Sequence, residues 1–240
     1  MLLCIDCGNS RLKWGLHDGR GWLKQAAMPL AELGGLAQAF SGLPAPTVVI
    51  ACSVAGDEPR RAVERAAAAL GLPLTWLVSQ SAQCGVTNGY TTPAQLGADR
   101  WAALIGARQL FPGDCLVVNA GTATTIDVLD SSGIFQGGVI LPGIDLMRAS
   151  LAGNTAQLPL ADGACQPLPR NTADAIASGA LLATAGAITR MFAHVAATPG
   201  ATCLVTGGAA ALLLPVLHVP WRAVDHLVLE GLRRVAAEGA

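Results

Sequence analysis

The feature that most constrains the fold is a short motif that occurs twice in the chain. In the first copy an apolar run, Leu2–Ile5, leads into Asp6 and a bend of small residues that contains Gly8. In the second copy Cys115–Val118 leads into Asn119 and a similar bend, and Asn119 follows Asp6 by 113 residues. Because an apolar run, a glycine bend and a second apolar run are typical of a β-hairpin, each copy predicts a hairpin. So short a repeat can also arise by chance.

The rest of the chain predicts α/β architecture. The uncharged, β-branched run Thr47–Cys52 indicates a buried strand, and Glu58–Leu70 has the composition of a helix that ends at a glycine. In the second half, Asn171 precedes a long helical pattern in the position of an N-cap. We therefore predict mixed sheets with helices packed on them, in two related domains of residues 1–112 and 113–240 with a cleft between them.

The first bend has features of a phosphate-binding loop. Gly8 allows the backbone to approach a ligand, and the successive N–H groups of a turn form a concave anion site. Asp6 can hold Mg²⁺, which in phosphate sites takes only one or two carboxylates, and Lys13 adds positive charge. The Walker sequence is absent from the chain, so this is a different kind of loop. An ordinary hairpin with a glycine turn remains the alternative interpretation.

Two further segments carry candidate site residues. A helix start at Gly97-Ala98-Asp99-Arg100 offers a carboxylate and a guanidinium side by side, as a general base and an anion-binding group require. The alternative is an acid placed by the helix dipole and a solvated arginine. Gly207-Gly208, at a strand-to-helix turn, allows close approach of an adenine–ribose unit, or is simply a packing pair.

Composition excludes several classes of protein. The net charge is −1, from 15 basic and 16 acidic residues with no basic run, which argues against a nucleic-acid or membrane-surface partner. The longest uncharged apolar stretch, Ala175–Thr189, is too short to span a membrane, and no signal peptide is expected. The seven cysteines are scattered and odd in number, and the four histidines lack metal-ligand spacing. We therefore expect a reduced, cytoplasmic protein in which Cys4 and Cys7 are strand and turn residues.

Taken together, the motifs resemble those of the type III pantothenate kinases. The matching segments, in the expected order over nearly the whole chain, are IDCGNSRLKWG from Ile5, GADRWAALIGAR from Gly97, VVNAGTATTIDV from Val117, GGVILPGIDL from Gly137 and TGGAA from Thr206. The resemblance implies two actin-like (ribonuclease H-like) domains of the acetate and sugar kinase/Hsp70/actin superfamily, and a homodimer. It also implies ATP-dependent phosphorylation of pantothenate to 4′-phosphopantothenate, the first step of coenzyme A biosynthesis.

The resemblance also implies roles for individual residues. It makes Asp99 the general base and Asp6 a ligand of Mg²⁺. The implied ATP contacts are Asp6, Cys7, Gly8, Asn9, Ser10, Arg11, Leu12 and Lys13 in the first bend, with Thr122 on the phosphates and Gly207 and Gly208 on the adenosine side. The implied pantothenate contacts are Tyr90, Gly97, Ala98, Asp99, Arg100 and Thr172.

One residue departs from the pattern of the family that the chain resembles. The family usually has an aspartate, associated with bound K⁺ or NH₄⁺, at the position of Asn119, which retains a carbonyl oxygen but has no charge. Dependence on a monovalent cation is therefore left open. The same departure motivates an alternative hypothesis, a non-catalytic, nucleotide-binding regulator with the same fold.

Overall fold

The chain divides into two units in the computed structural model, which describes residues 1–155, 157–158, 160 and 162–238. The first unit contains Met1–Phe111 and the chain from His226 onward. The second unit contains Pro112–Asp225. Each unit is built on a mixed β-sheet, as the alternation of strand and helix patterns predicts.

The first unit has the following elements in chain order: β1 (Leu2–Cys7), β2 (Arg11–His17), β3 (Trp22–Pro29), α1 (Leu36–Ser41), β4 (Val48–Ser53), α2 (Asp57–Ala69), β5 (Leu74–Trp76), β6 (Ala82–Gln83), β7 (Val86–Asn88) and α3 (Ala98–Leu110). Its main sheet has the strand order β3-β2-β1-β4-β5. The first three strands are antiparallel, whereas β4 is parallel to β1 and β5 is parallel to β4.

The second unit contains β8 (Cys115–Ala120), β9 (Ala123–Leu129), β10 (Ile134–Pro142), α4 (Ile144–Asn154), α5 (Thr172–Phe192), β11 (Thr202–Thr206), α6 (Ala210–Leu213) and β12 (Trp221–Ala223), and the C-terminal helix α7 (Leu227–Glu238) follows it. Its strands lie in the order β10-β9-β8-β11-β12. Again the first three are antiparallel, and β11 and β12 run parallel to β8.

The two strand orders are the same, with β8 in the place of β1. Each unit therefore consists of a three-stranded meander followed by two parallel strands on the far side of its first strand. Asp6 pairs with Lys13 across the first hairpin, and Asn119 pairs with Thr125 across the second. The shared topology confirms that the repeated motif marks two related folds rather than a chance similarity.

The core of the first unit forms where one face of its sheet packs on α1 and α2. Alternate residues of β1 and β2 point into this core, as the period of a strand requires. Trp14 and Phe40 meet edge to face with ring centroids 5.4 Å apart, which is a favoured arrangement of aromatic rings. The side chains of Cys7 and Leu12 are fully buried in this cluster.

The C-terminal helix α7 packs with the first unit, whereas the sequence led us to place residues 113–240 in one domain. The reason is a close backbone contact between α7 and α3. A Cβ atom on Gly231 would collide with the backbone of Ala102, and one on Gly106 would lie 2.5 Å from the carbonyl oxygen of Leu227. Two glycines thus allow the helices to touch, which no local sequence pattern reveals.

In the second unit the core lies between the sheet and helices α4 to α6. Leu116, Ile126 and Val205 of the strands contact a face of α5 that includes Ala185 and Ile188. Within the described residues α5 is the one helix whose length and composition would allow it to cross a membrane, and 39% of its most apolar window is buried inside the protein. Its buried side thus belongs to the core of this unit, and the helix is longer than the uncharged stretch Ala175–Thr189 from which the sequence predicted too short a span.

Candidate active site

The first hairpin places a buried carboxylate beside an exposed turn. Asp6 lies near the end of β1 with only 6% of its surface exposed, and Lys13 faces it in register on β2. The turn closes through a hydrogen bond from the Gly8 N–H to the carbonyl oxygen of Arg11 at 3.2 Å. Asn9 lies exposed in this turn. Because the side chains of Cys7 and Leu12 are in the core, those two residues have only backbone groups to offer a ligand.

Burial dominates the electrostatics of Asp6. Removal from water raises the pKa of its carboxyl from 3.8 to about 6, and the negative charge of Asp99 adds to the rise. The positive charge of Lys13 and a hydrogen bond from the Cys52 thiol, 3.7 Å from Oδ1, lower it. Asp6, Lys13 and Asp99 are therefore close enough to influence one another. Nothing in the sequence pointed to Cys52, which lies on β4 in register with Asp6.

Asp99 lies in the first turn of α3, where its carboxylate folds back over the start of the helix. The Arg100 N–H donates a hydrogen bond to Asp99 Oδ1 at 2.8 Å. A Cβ atom on Gly97 would lie 2.7 Å from the same oxygen, so a glycine there leaves room for this conformation. Burial raises the pKa of Asp99, while the N–H and the charge of Arg100 oppose the rise. A carboxylate with a raised pKa is a better proton acceptor at neutral pH.

Arg100 and Tyr90 form a pair beside this carboxylate. Arg100 is 4% exposed, and its Nη1 donates a hydrogen bond to the Tyr90 hydroxyl at 2.8 Å. The guanidinium carbon lies 5.5 Å from the centre of the tyrosine ring. The predicted pantothenate contacts of the first unit are therefore brought together, although Tyr90 and Arg100 lie on a loop and a helix. A buried, planar donor of this kind suits a carboxylate or an amide oxygen.

In the second unit, the corresponding bend and the Gly207-Gly208 turn lie against each other. The Gly121 N–H bonds to the carbonyl oxygen of Ala123 at 3.0 Å, so this hairpin closes much as the first does. Gly207 has a φ of +102°, and a Cβ atom there would collide with the backbone of Ala120 at the end of β8. Gly207 is thus required by a close approach to the strand that carries Asn119. Thr122 is exposed in the bend.

Thr172 occupies a different place in the second unit. It is the first residue of α5, whose N-cap Asn171 accepts a hydrogen bond from the Asp174 N–H. Its neighbours line an apolar cavity of about 1200 Å³ between α4 and α5, together with Leu146 and Ile176. The predicted cap is confirmed, and the cavity could not have been read from the sequence.

The donor set of the first hairpin fits Mg²⁺ held jointly with phosphates. Within residues 1–155, 157–158, 160 and 162–238, no group of three or more His, Cys, Asp or Glu residues is arranged to hold a metal ion. Mg²⁺ in a phosphate site needs only one or two carboxylates because water and phosphate oxygens complete its octahedron. Asp6, at the end of β1 next to the glycine turn, is a carboxylate of the type that such a site requires. Cys4 and Cys7 are buried free thiols, and Cys7 is the last residue of β1 rather than part of the turn.

Comparison with known proteins identifies the family. The family model for type III pantothenate kinase matches residues 2–194. A type III pantothenate kinase from Aromatoleum aromaticum is 52% identical over 240 residues, which cover 100% of this chain and 99% of that protein. Another, from Dechloromonas aromatica, is 48% identical over 98% of this chain and 99% of its own length.

Solved structures show the same fold at low identity. A Campylobacter jejuni protein named for the Baf family of transcriptional activators matches 99% of this chain and 98% of its own, with a TM-score of 0.65 and 20% identity. MreB 5 of Spiroplasma citri matches 100% of this chain and 98% of its own, with a TM-score of 0.51 and 12% identity. The two units thus have the actin-like fold that the motifs implied. By its sequence match over the full length, the chain belongs to the type III pantothenate kinase family.

Proposed function

We propose that this protein transfers the γ-phosphoryl group of ATP to the hydroxyl group of pantothenate, with Asp99 as the general base. Family membership makes the chain a kinase that acts on pantothenate in coenzyme A biosynthesis. The observation that carries the role of Asp99 is its geometry. Its half-buried carboxylate, at the start of α3, has a raised pKa and lies next to the Arg100–Tyr90 pair.

The proposed reaction needs little covalent chemistry from the protein. The hydroxyl oxygen of pantothenate attacks the γ-phosphorus, its proton passes to the Asp99 carboxylate, and the bond to the bridging oxygen of ADP breaks. Catalysis then depends on position and on charge stabilisation. Arg100, held by Tyr90, is the donor that we assign to the carboxylate or amide oxygens of pantothenate.

Phosphate binding is assigned to the first hairpin. We propose that the backbone of residues 6–13 and the ammonium group of Lys13 bind the phosphates of ATP. Mg²⁺ held by Asp6 would neutralise phosphate charge when it is bound. In the second unit, Thr122 is proposed as a phosphate contact, Gly207 and Gly208 as the adenosine side, and Thr172 as a further pantothenate contact.

The remaining proposals concern the cation and the state of the protein in the cell. Asn119 offers a carbonyl oxygen without a charge, so we propose that K⁺ or NH₄⁺ gives little stimulation. We also propose a cytoplasmic homodimer, on the basis of the family resemblance. The alternative of a non-catalytic regulator gains no support from the family match, since the related proteins named above are pantothenate kinases.

A coupled assay of ADP release tests the function. We expect ADP release from ATP and Mg²⁺ to depend on added pantothenate, and to be absent with a sugar or acetate as the acceptor. A protein that binds nucleotide but releases no ADP in response to pantothenate would refute the proposal. The Asp99→Asn variant tests the assigned base, because it preserves shape while removing the proton acceptor.

A further inference from the structure

We infer that Asn88 is a positioning residue for pantothenate, because its carboxamide holds the segment that places the Tyr90 hydroxyl on Arg100. The inference rests on the proposed function in one respect, the assignment of Tyr90 and Arg100 to the substrate. Asn88 is the last residue of β7, and it is only 8% exposed. The short β6–β7 hairpin thus leads directly into the segment that carries Tyr90.

The side-chain amide nitrogen of Asn88 bonds to residues on both sides of the segment 81–92. Its Nδ2 lies 3.0 Å from the Ser79 hydroxyl oxygen, 3.2 Å from the carbonyl oxygen of Gln80 and 3.2 Å from that of Pro93. Two amide hydrogens thus serve three acceptors, on both sides of Asn88 in the chain. A single side chain therefore closes the loop that contains Tyr90.

The amide oxygen of Asn88 acts on Tyr90 directly. Oδ1 accepts a hydrogen bond from the Tyr90 N–H at 3.0 Å, which is the local turn that asparagine favours. The Asn88 N–H donates to the carbonyl oxygen of Ser81 at 2.8 Å. Both side-chain polar atoms of Asn88 are thus engaged, and one of them bonds directly to the backbone of Tyr90.

Asn88 affects the proposed substrate contact through one further hydrogen bond, the one between Tyr90 and Arg100. The Tyr90 hydroxyl accepts from Arg100 Nη1 at 2.8 Å, and Arg100 follows Asp99 on α3. A loop without the carboxamide regains backbone freedom, and ordering it again costs free energy each time substrate binds. This cost affects pantothenate binding more than the chemical step, because Asp99 is held by the helix rather than by the loop.

The experiment compares Asn88→Ala with a matched variant of the same hairpin. The matched variant is Cys84→Ala: Cys84 is buried, and its thiol donates to Glu238 Oε2 at 3.0 Å, so one hydrogen bond of the hairpin is lost while the Asn88 contacts remain. In Asn88→Ala we expect the KM for pantothenate to rise about five- to tenfold, the size of one or two lost neutral hydrogen bonds. We expect kcat and the KM for ATP to change less than twofold, and Cys84→Ala to leave all three unchanged.

A double-mutant cycle separates positioning from a general loss of stability. In a Tyr90→Phe background, Asn88→Ala should change the KM for pantothenate less than twofold. The hydrogen bond between Arg100 and the Tyr90 hydroxyl, which Asn88 positions, is already absent there. Equal effects in both backgrounds would overturn the inference. If Asn88→Ala does not fold, Asn88→Ser supplies the test, since a serine hydroxyl can still accept from the Tyr90 N–H and should restore part of the affinity.

A second readout does not depend on activity. Tyr90 is the single tyrosine of the chain, so protein labelled with 3-fluorotyrosine gives one fluorine NMR signal. The signal should shift or broaden in Asn88→Ala and stay in place in Cys84→Ala; an unmoved signal in both variants would refute the inference. A wild-type protein that releases no ADP with pantothenate would instead refute the proposed function, while the fluorine signals would still report whether Asn88 positions Tyr90.

Discussion

Asp6→Asn is expected to make the protein more stable and less active. The substitution keeps the shape of the side chain but removes a charge that the fold holds away from water. Burial raises the pKa of Asp6 from 3.8 to about 6, against the opposing effect of Lys13. A raised carboxyl pKa means that the folded state disfavours the anion, so ionised Asp6 lowers the free energy of unfolding.

The magnitude follows from proton linkage. The interval between 3.8 and about 6 corresponds, at 1.36 kcal/mol per pH unit, to about 3 kcal/mol at pH 8. Well below pH 3.8 both states are protonated and the penalty disappears; it grows as the pH rises towards 6 and levels off above that. The carboxamide of Asp6→Asn resembles the neutral acid at every pH. The gain in the free energy of unfolding should therefore be about 3 kcal/mol at pH 8, about half of that at pH 5 and less than about 1 kcal/mol at pH 4.

Urea unfolding in EDTA, at several pH values between 4 and 8, measures this difference. Asp18→Asn is a control whose change in stability should have the opposite sign, because the N–H groups of Gly21 and Arg20 lower the pKa of Asp18. That variant should be less stable than wild type at pH 8, and the difference should fade as pH falls through the lowered pKa. The reasoning is refuted if Asp6→Asn is no more stable than wild type at pH 8, or if its gain does not depend on pH. Asp6→Asn should also lose most of its Mg²⁺-dependent turnover, since a carboxamide is a poor ligand of Mg²⁺.

Three further changes have definite expected outcomes. Asp99→Asn should lower kcat by about 10²- to 10⁴-fold in the coupled assay, the usual contribution of a general base, without lowering the melting temperature; full activity would remove Asp99 from that role. Gly231→Ala should reduce the free energy of unfolding by about 1–3 kcal/mol in urea titrations, because its Cβ would collide with the backbone of Ala102; an unchanged midpoint would contradict the close helix contact. Replacing Na⁺ by K⁺ or NH₄⁺ at constant ionic strength should raise the rate less than twofold, because Asn119 has no charge to hold the cation; a large stimulation would show that its carbonyl oxygen suffices.

The sequence by itself determined the local framework of the protein. Apolar runs around Gly8 and Gly121 predicted both hairpins, and the spacing of Asp6 and Asn119 predicted the repeated topology. The N-cap at Asn171 was also readable. Each of these features depends on residues within a few positions of one another, because turns and caps are satisfied by their own segment of chain.

Only the tertiary structure decided how the candidate site is tuned. The raised pKa of Asp6 depends on burial by distant strands, and the bond between Tyr90 and Arg100 depends on a loop that Asn88 closes. The place of α7 against α3 depends on Gly106 and Gly231, which are far apart in the chain. Burial, desolvation and close helix contact arise from residues brought together by folding, so no local pattern carries them.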